Sequence, residues 1–398
     1  MVLSKGKKSS WTKFNDMNAG SSDLKSIAIL VRSFSLGGGL EKYNFKLTQG
    51  LLDANYKVTI LCENNNSDFK HKNLTVQEIF KTSQKLNASQ KLKFFFDTSN
   101  EYLSHNTFDL VHSQHLPTSM ADVVSFHNYT VATRVTSGKI AENIIDKLKS
   151  KFKGKYLSQN FYDLTLVNSA KALIFPSKMA LNDYVDKFKI TNLEKLFVAY
   201  PGLGYPCEVT YNKDKIPLNL VFVGKGYRHK GLDVLLKAIS LLKRENIIVN
   251  LNVVGLKKTL FYKFKLLTLG IGSQVKFLGR VFDLAELYAN CDIIVQPSRY
   301  ETFGMAVLEA MQYHVVPVVS KKCGISEILT DDVNAIILDD HLSAYTLAKS
   351  LKALIENQAH RHKLACASEE LSYSYPWENT VYNTLEAYKY ALKEKLYV

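Results

Sequence analysis

Nowhere do the 398 residues hold a long apolar run. A membrane-spanning helix needs about 18 or more mostly apolar side chains in succession, so an integral helical membrane protein is excluded. Cysteine is sparse and scattered: Cys62, Cys207, Cys291, Cys323 and Cys366 make no close pair. That spacing speaks against zinc and dithiol chemistry and fits a reducing cytoplasm. No Asp-x-Asp pair is present to hold a divalent ion. There is no nucleic-acid recognition motif and no glycine–aromatic stacking pattern either, so nucleic acid is not an expected partner. The first 26 residues carry Lys5, Lys7, Lys8 and Lys13 but no apolar segment. They read as a disordered extension and not as a secretory signal.

What is present is ordinary globular material. The chain exceeds what one core usually supports, so two domains are expected. Hydrophobic residues make up 46% and charged residues 22%, the balance of a packed protein. Net charge is +14 and uneven: residues 1–200 hold 27 Lys and Arg against 17 Asp and Glu, the remainder 24 against 20. The densest basic patch runs from Lys139 to Leu157. There Ile140, Ile144, Ile145, Leu148 and Phe152 recur at helical spacing among Lys139, Lys147, Lys149, Lys151, Lys153 and Lys155. Such a helix either packs on the core with a solvated basic face or lies in the interface of an anionic membrane.

Apolar strands and helices alternate in two series. The first opens with a strand at 25–34, a glycine turn and a helix from about Glu41 to Asn55. Strands follow at 56–63, 108–114 and 121–128, and a strand, loop and helix run from Ala172. Residues 200–217 are rich in Gly and Pro without periodicity and read as a linker. Past them a strand ends at Gly224, a helix runs from Leu232, and strands and helices alternate through Glu327. This is the α/β pattern of parallel sheets wrapped by helices.

The most informative stretch lies between Asp292 and Glu327. An apolar strand empties into a short polar loop, a helix starts at Gly304, and Glu301 and Glu309 flank that start. Amides at the helix N-terminus, those of Gly304 and Met305, suit phosphate oxygens. Carboxylates there would repel an anion, so they are better explained as acceptors for sugar hydroxyls on either side of a diphosphate. Phosphate between two sugars is a nucleotide sugar. Lys225, Arg228 and Lys230 stand at another strand end before Gly231, and Gly279 and Arg280 at a third. The stretch from Ser298 to Phe303 leaves a fourth. Parallel sheets bind ligands at these carboxyl ends.

Together these residues resemble the retaining glycosyltransferases of family 4. The Glu301-to-Glu309 spacing is similar to the family's Glu-x7-Glu signature. Val223, Gly224, Lys225 with Lys230, Gly231 resemble its V-G-(R/K)…K-G pattern, and Gly37, Gly38, Gly39, Leu40, Glu41 its glycine turn. The resemblance implies the GT-B architecture, two facing Rossmann-like domains. The implied division is an acceptor-binding domain at 27–200, a linker at 201–217, a nucleotide-sugar domain at 218–375 and a terminal helix at 376–398 crossing back to the first domain. It also implies a base-contacting helix within 277–292, a ligand role for Gly38 and Gly39, and retention of anomeric configuration. One branch, the lipopolysaccharide core glucosyltransferases, shares a basic amphipathic region like that at about 130–160 and a step like Cys323–Gly324. Two departures bear on donor preference: Lys225 replaces the usual Arg and loses its bidentate fork, and the glycine common before Pro-Val-Val is absent around His314 and Val315.

The chemistry expected follows from the charge that must be stabilised. A leaving nucleoside diphosphate, UDP by analogy, gains negative charge. Lys225, Lys230 and Arg228 with the Gly304 and Met305 amides would hold it without a metal or other cofactor. Glu301 would grip the sugar and Glu309 the ribose, with Arg280 and Phe303 beside them. The family resemblance points to His127 near the transferred sugar, with His112 and His115 as runners-up. The alternatives are another GT-B enzyme, an epimerase or a phosphorylase, and a non-catalytic basic protein on a membrane surface.

Overall fold

The structure, a computed structural model, describes residues 25–83, 85–137, 154–204, 206, 213 and 215–396. The N-terminal extension up to residue 24, the core of the lysine-rich stretch at 138–153 and much of the expected linker lie outside the described residues.

The first series of strands is β1 (Ser26–Leu30), β2 (Ser33–Phe34), β3 (Lys57–Cys62), β4 (Asn64–Asn65), β5 (Leu74–Glu78), β6 (Leu110–Ser113), β7 (Val123–Ser125), β8 (Ala172–Phe175) and β9 (Leu196–Val198). Seven form one parallel sheet in the order β5-β3-β1-β6-β7-β8-β9, while β2 and β4 make a separate pair. Its helices are α1 (Gly39–Asp53), α2 (Ala88–His105), α3 (Val131–Ser137), α4 (Gly154–Ser169) and α5 (Lys178–Phe188). α2 was not legible as a helix, yet its start carries a capping box: Asn87 accepts from Ser89 and Gln90 amides, and Gln90 accepts from the Asn87 amide. That arrangement satisfies donors that a helix start leaves unpaired.

The second series is β10 (Asn219–Val223), β11 (Asn250–Val254), β12 (Val275–Gly279), β13 (Ile293–Gln296), β14 (Val316–Ser320) and β15 (Ile336–Leu338). They form a parallel sheet in the order β12-β11-β10-β13-β14-β15. β13 and β14 are buried at every residue, which is why they read as continuous apolar runs. The helices are α6 (Leu232–Arg244), α7 (Leu260–Leu269), α8 (Ala285–Ala289), α9 (Met305–Met311), α10 (Ala344–Glu356), α11 (Gln358–Ser372) and α12 (Trp377–Leu396). In both sheets the order reverses once, between β1 and β6 and between β10 and β13. At such a reversal adjacent strands send their loops apart and open a crevice. Among the described residues no helix is long and apolar enough to cross a membrane.

α12 leaves the second sheet and packs on the first. Val381, Leu385, Tyr388 and Ala391 are buried with α1, β1 and β3 in one core, each large apolar side chain contributing about 1.5–3 kcal/mol. The Tyr388 hydroxyl meets His112 Nδ1 at 2.7 Å. Just before α12, Leu203 and Pro376 form a parallel bridge, with the Leu203 amide donating to Tyr375 O at 2.8 Å and the Trp377 amide to Leu203 O at 3.2 Å. The chain therefore passes between the two sheets twice, side by side.

Gly50 in α1 lies against Val381, and a Cβ there would overlap its methyl groups. Helix propensity alone would make Gly50→Ala stabilising by about 1 kcal/mol, but overpacking costs about 1–3 kcal/mol. Urea unfolding should show Gly50→Ala to be destabilising in the wild type and stabilising in a Val381→Ala background. Stabilisation in both would contradict the packing.

Candidate active site

The crevice of the second sheet is built by two loops, one leaving β10 and one leaving β13. They touch at Gly231, whose φ is +81° and where a Cβ would overlap Pro297 O. Only glycine tolerates both the conformation and the contact. Arg299 then staples the loops: its guanidinium donates to Asp233 Oδ1 at 2.9 Å and Oδ2 at 2.8 Å, and its amide donates to His229 O at 2.8 Å. A bidentate pair of this kind fixes geometry as well as charge. Arg299 and Asp233 were not singled out from sequence, because nothing local links residues so far apart.

The result is that Lys230 and Glu301, from different loops, are in direct ionic contact. Burial pulls the Lys230 ammonium down to about 8, and the carboxylate against it favours the charged form. Beyond Glu301 the loop turns at Gly304, with φ +109°, into α9. The first-turn amides of Met305 and Ala306 have no partner within the helix, and both residues line the cleft. The Phe303 ring is 2% exposed and faces Tyr200 at 5.8 Å. It therefore anchors the loop, and only its backbone is available to a ligand.

The first domain supplies the opposite wall. Lys42 of α1 meets Glu309 of α9 at 2.7 Å. Arg280 donates to the carbonyl of Gly37 and stacks over Phe282 at 4.6 Å. Thr302 Oγ1 donates to His127 O at 3.1 Å. A further carboxylate crosses nearby: Glu327 accepts from the first amides of α5, Lys178 at 2.8 Å and Met179 at 2.6 Å, and from the Tyr200 hydroxyl at 3.0 Å. That is a favourable place for negative charge. Lys42, Thr302 and Glu327 were not singled out from sequence, since each matters only through a residue of the other domain.

The three histidines separate cleanly. His112 is fully buried between Tyr388 and Ser125, the latter at 2.8 Å. His115 is half-buried, its side chain 8% exposed and against Asp163 at 2.9 Å. Both are partnered, and neither lines the cleft. His127 opens on the cleft, stands edge-on to Tyr43 at 4.9 Å and meets Gln114 Oε1 through Nε2 at 2.6 Å. Burial pushes its pKa down to about 3, so the imidazole is neutral, with Nε2 donating and Nδ1 left to accept.

A cleft of about 720 Å³ lies between the domains, within the range that holds small ligands. Gly38, Gly39, His127, Lys225, Lys230, Arg280, Glu301, Phe303, Gly304, Met305 and Glu309 all line it. Arg228 does not. Its carbonyl accepts from the Gly231 amide at 2.9 Å and from Arg299, and its exposed side chain stands outside the lining.

With this geometry in hand, the comparisons are consistent. Residues 37–203 match the profile of Glycosyltransferase Family 4, and residues 209–370 that of Glycosyl transferases group 1. The chain is 29% identical over 245 residues to a glycosyltransferase of Methanocaldococcus jannaschii, a match spanning 61% of this chain and 64% of that protein. WaaG, a glycosyltransferase involved in lipopolysaccharide biosynthesis, superposes with a TM-score of 0.75 at 17% identity, over 90% of this chain and 98% of that one. Anabaena HepE, in complex with UDP-glucose, superposes at 0.63 and 16% identity over 94% and 99%. The fold is thus GT-B, and the chain belongs to the group 1, family 4 glycosyltransferases.

Proposed function

We propose that this glycosyltransferase moves a hexose from a UDP-sugar to a hydroxyl of a lipid-linked or cell-envelope glycan, without a metal and with retention. Family membership favours transfer over the epimerase, phosphorylase and non-catalytic readings. The observation that carries the donor reading is the pairing at the cleft: Lys230 with Glu301 and Lys42 with Glu309, around the amides at the start of α9. A diphosphate competes with Glu301 for Lys230, with Lys225 alongside, and leaves that carboxylate to accept from sugar hydroxyls. Glu309 takes the ribose. Positive potential set in place before the bond breaks is the largest catalytic contribution such a site makes. Neutral His127 offers Nδ1 to a hydroxyl near the transferred sugar.

The proposed division of labour gives acceptor recognition to the first domain and the nucleotide sugar to the second. HepE in complex with UDP-glucose supports the choice of base. The involvement of WaaG in lipopolysaccharide biosynthesis supports an envelope acceptor. Placement at the inner face of the cytoplasmic membrane through Lys139 to Lys155 is part of the proposal, although 138–153 lies outside the described residues.

Glu309→Ala should weaken binding of the preferred UDP-sugar by about 10–100-fold, the loss of a charge-assisted hydrogen bond. Slow donor hydrolysis by the wild type should be unchanged by EDTA. Undiminished binding in the variant would remove Glu309 from the site, and EDTA-sensitive turnover would overturn the metal-free mechanism.

Lys230 sets a pH dependence with a definite sign. Its folded pKa lies below the usual lysine value, so the charge that holds the diphosphate is lost as pH rises through about 8. The donor kcat/KM, which reports ionisations of the free enzyme, should fall above that pH. In Lys230→Arg the alkaline limb should disappear, because guanidinium does not titrate there. A limb of unchanged position in the variant would assign it to another group.

A further inference from the structure

One helix of the second domain is apolar on two opposite faces. α7 reads LFYKFKLLTL. Tyr262 and Leu266 are buried and seat it on the core. Leu260, Phe261, Phe264 and Leu267 are 81%, 56%, 68% and 77% exposed. At about 100° per residue these four fall within one arc of about 120°, on the side away from Tyr262 and Leu266. Lys263 and Lys265 border that arc on its two edges, and exposed Lys257 and Lys258 stand just before the helix. A surface helix ordinarily turns polar side chains to water. Clustered large apolar side chains there mark a surface that meets something.

The surrounding charge selects the partner. Residues 246–282 contain Lys257, Lys258, Lys263, Lys265, Lys276 and Arg280 and no Asp or Glu. Beside the helix lies a depression of about 330 Å³ lined by Lys258, Lys263, Leu266, Leu267, Gly270 and Gly272. Two lysines and two leucines share its lining. The centres of protein–protein interfaces are depleted in lysine. An apolar stripe with Phe264 at its middle, Phe261 at one edge and lysines at both borders complements a bilayer interface with anionic headgroups.

We propose that α7 and its lysines form a docking face for an anionic phospholipid membrane. The face is in the second domain and is distinct from the lysine-rich stretch at 139–157. It is carried by the surface of α7 and not by the reading of the cleft. Its position also has a consequence. Phe261 packs on Tyr227 at 5.4 Å, in the loop between cleft residues Lys225 and Lys230. α7 follows β11, whose end at Val254 and Gly255 lines the cleft. Docking through α7 sets that lip of the cleft beside the bilayer, where a lipid-borne substrate would arrive.

The test is co-sedimentation of the full chain with phosphatidylcholine vesicles, with and without phosphatidylglycerol. It compares wild type with Phe264→Ser/Leu267→Ser and with Lys258→Glu/Lys263→Glu. All four positions are exposed or border the exposed face, so melting temperature and donor hydrolysis should match wild type. The wild type should bind the anionic vesicles selectively, and each double variant should partition at least about tenfold more weakly. Wild-type sedimentation of either variant would overturn the proposal. So would a wild-type dimer in sedimentation velocity that Phe264→Ser/Leu267→Ser dissociates, since a second copy would then cover the face. If donor hydrolysis is absent throughout while vesicle binding behaves as expected, the reading of the cleft fails and the docking face stands.

Discussion

The strand order of the second sheet reverses between β10 and β13, and the whole site hangs on that reversal. Parallel strands deliver their loops to one edge, and at the reversal two loops leave neighbouring strands with room between them. Gly231 against Pro297 and Arg299 across Asp233 lock those loops together. Lys230 and Glu301 meet as a result, and the Gly304 turn then aims the start of α9 at the same point. Any other sheet order would separate these loops and the groups they carry.

Charge compensation is the second constraint. The cleft gathers lysines and carboxylates in partly buried positions, and an isolated buried charge is costly. Ion pairs offset that cost in the cleft and at its base: Lys230 with Glu301, Lys42 with Glu309, and Arg299 with Asp233 behind them. On the proposed donor reading two of these pairs exchange partners: a diphosphate offers Lys230 another anion, and sugar hydroxyls offer Glu301 and Glu309 other donors. Lys42 adds a mechanical element, since its partner belongs to the other domain. On the proposed reading a ribose on Glu309 loosens that contact, with the paired crossings at Leu203 and Pro376 as the place about which the domains would close.

Much of this was legible in the chain. Buried parallel strands such as β13 and β14 announce themselves as apolar runs, and residues at their carboxyl ends fall on one edge whatever the loops do. Hence eleven of the twelve anticipated site residues line the cleft. Arg228 shows the limit. It sits two residues from Lys230, but the Gly231 turn and the bond from Arg299 to its carbonyl leave its side chain outside. Lys42 carried no sequence signal, and Arg299 and Thr302 lay inside the anticipated 298–303 stretch without being singled out, because their partners are remote in sequence. β5, LTVQE, has no buried residue, with Thr75, Gln77 and Glu78 exposed at the sheet edge, and lacks the apolar run that betrayed the others. Phe303 was legible as a site residue but not as a buried anchor, since burial depends on Tyr200 from the segment before the linker.

We propose the Lys230–Glu301 pair as the receiver of the donor diphosphate. A crystal structure of the UDP complex tests it most directly. The expected result is the β-phosphate against Lys230 and the amides at the start of α9, with Glu301 turned away from the lysine and the ribose hydroxyls on Glu309. Nucleotide bound elsewhere, with Lys230 and Glu301 still in contact, would contradict it.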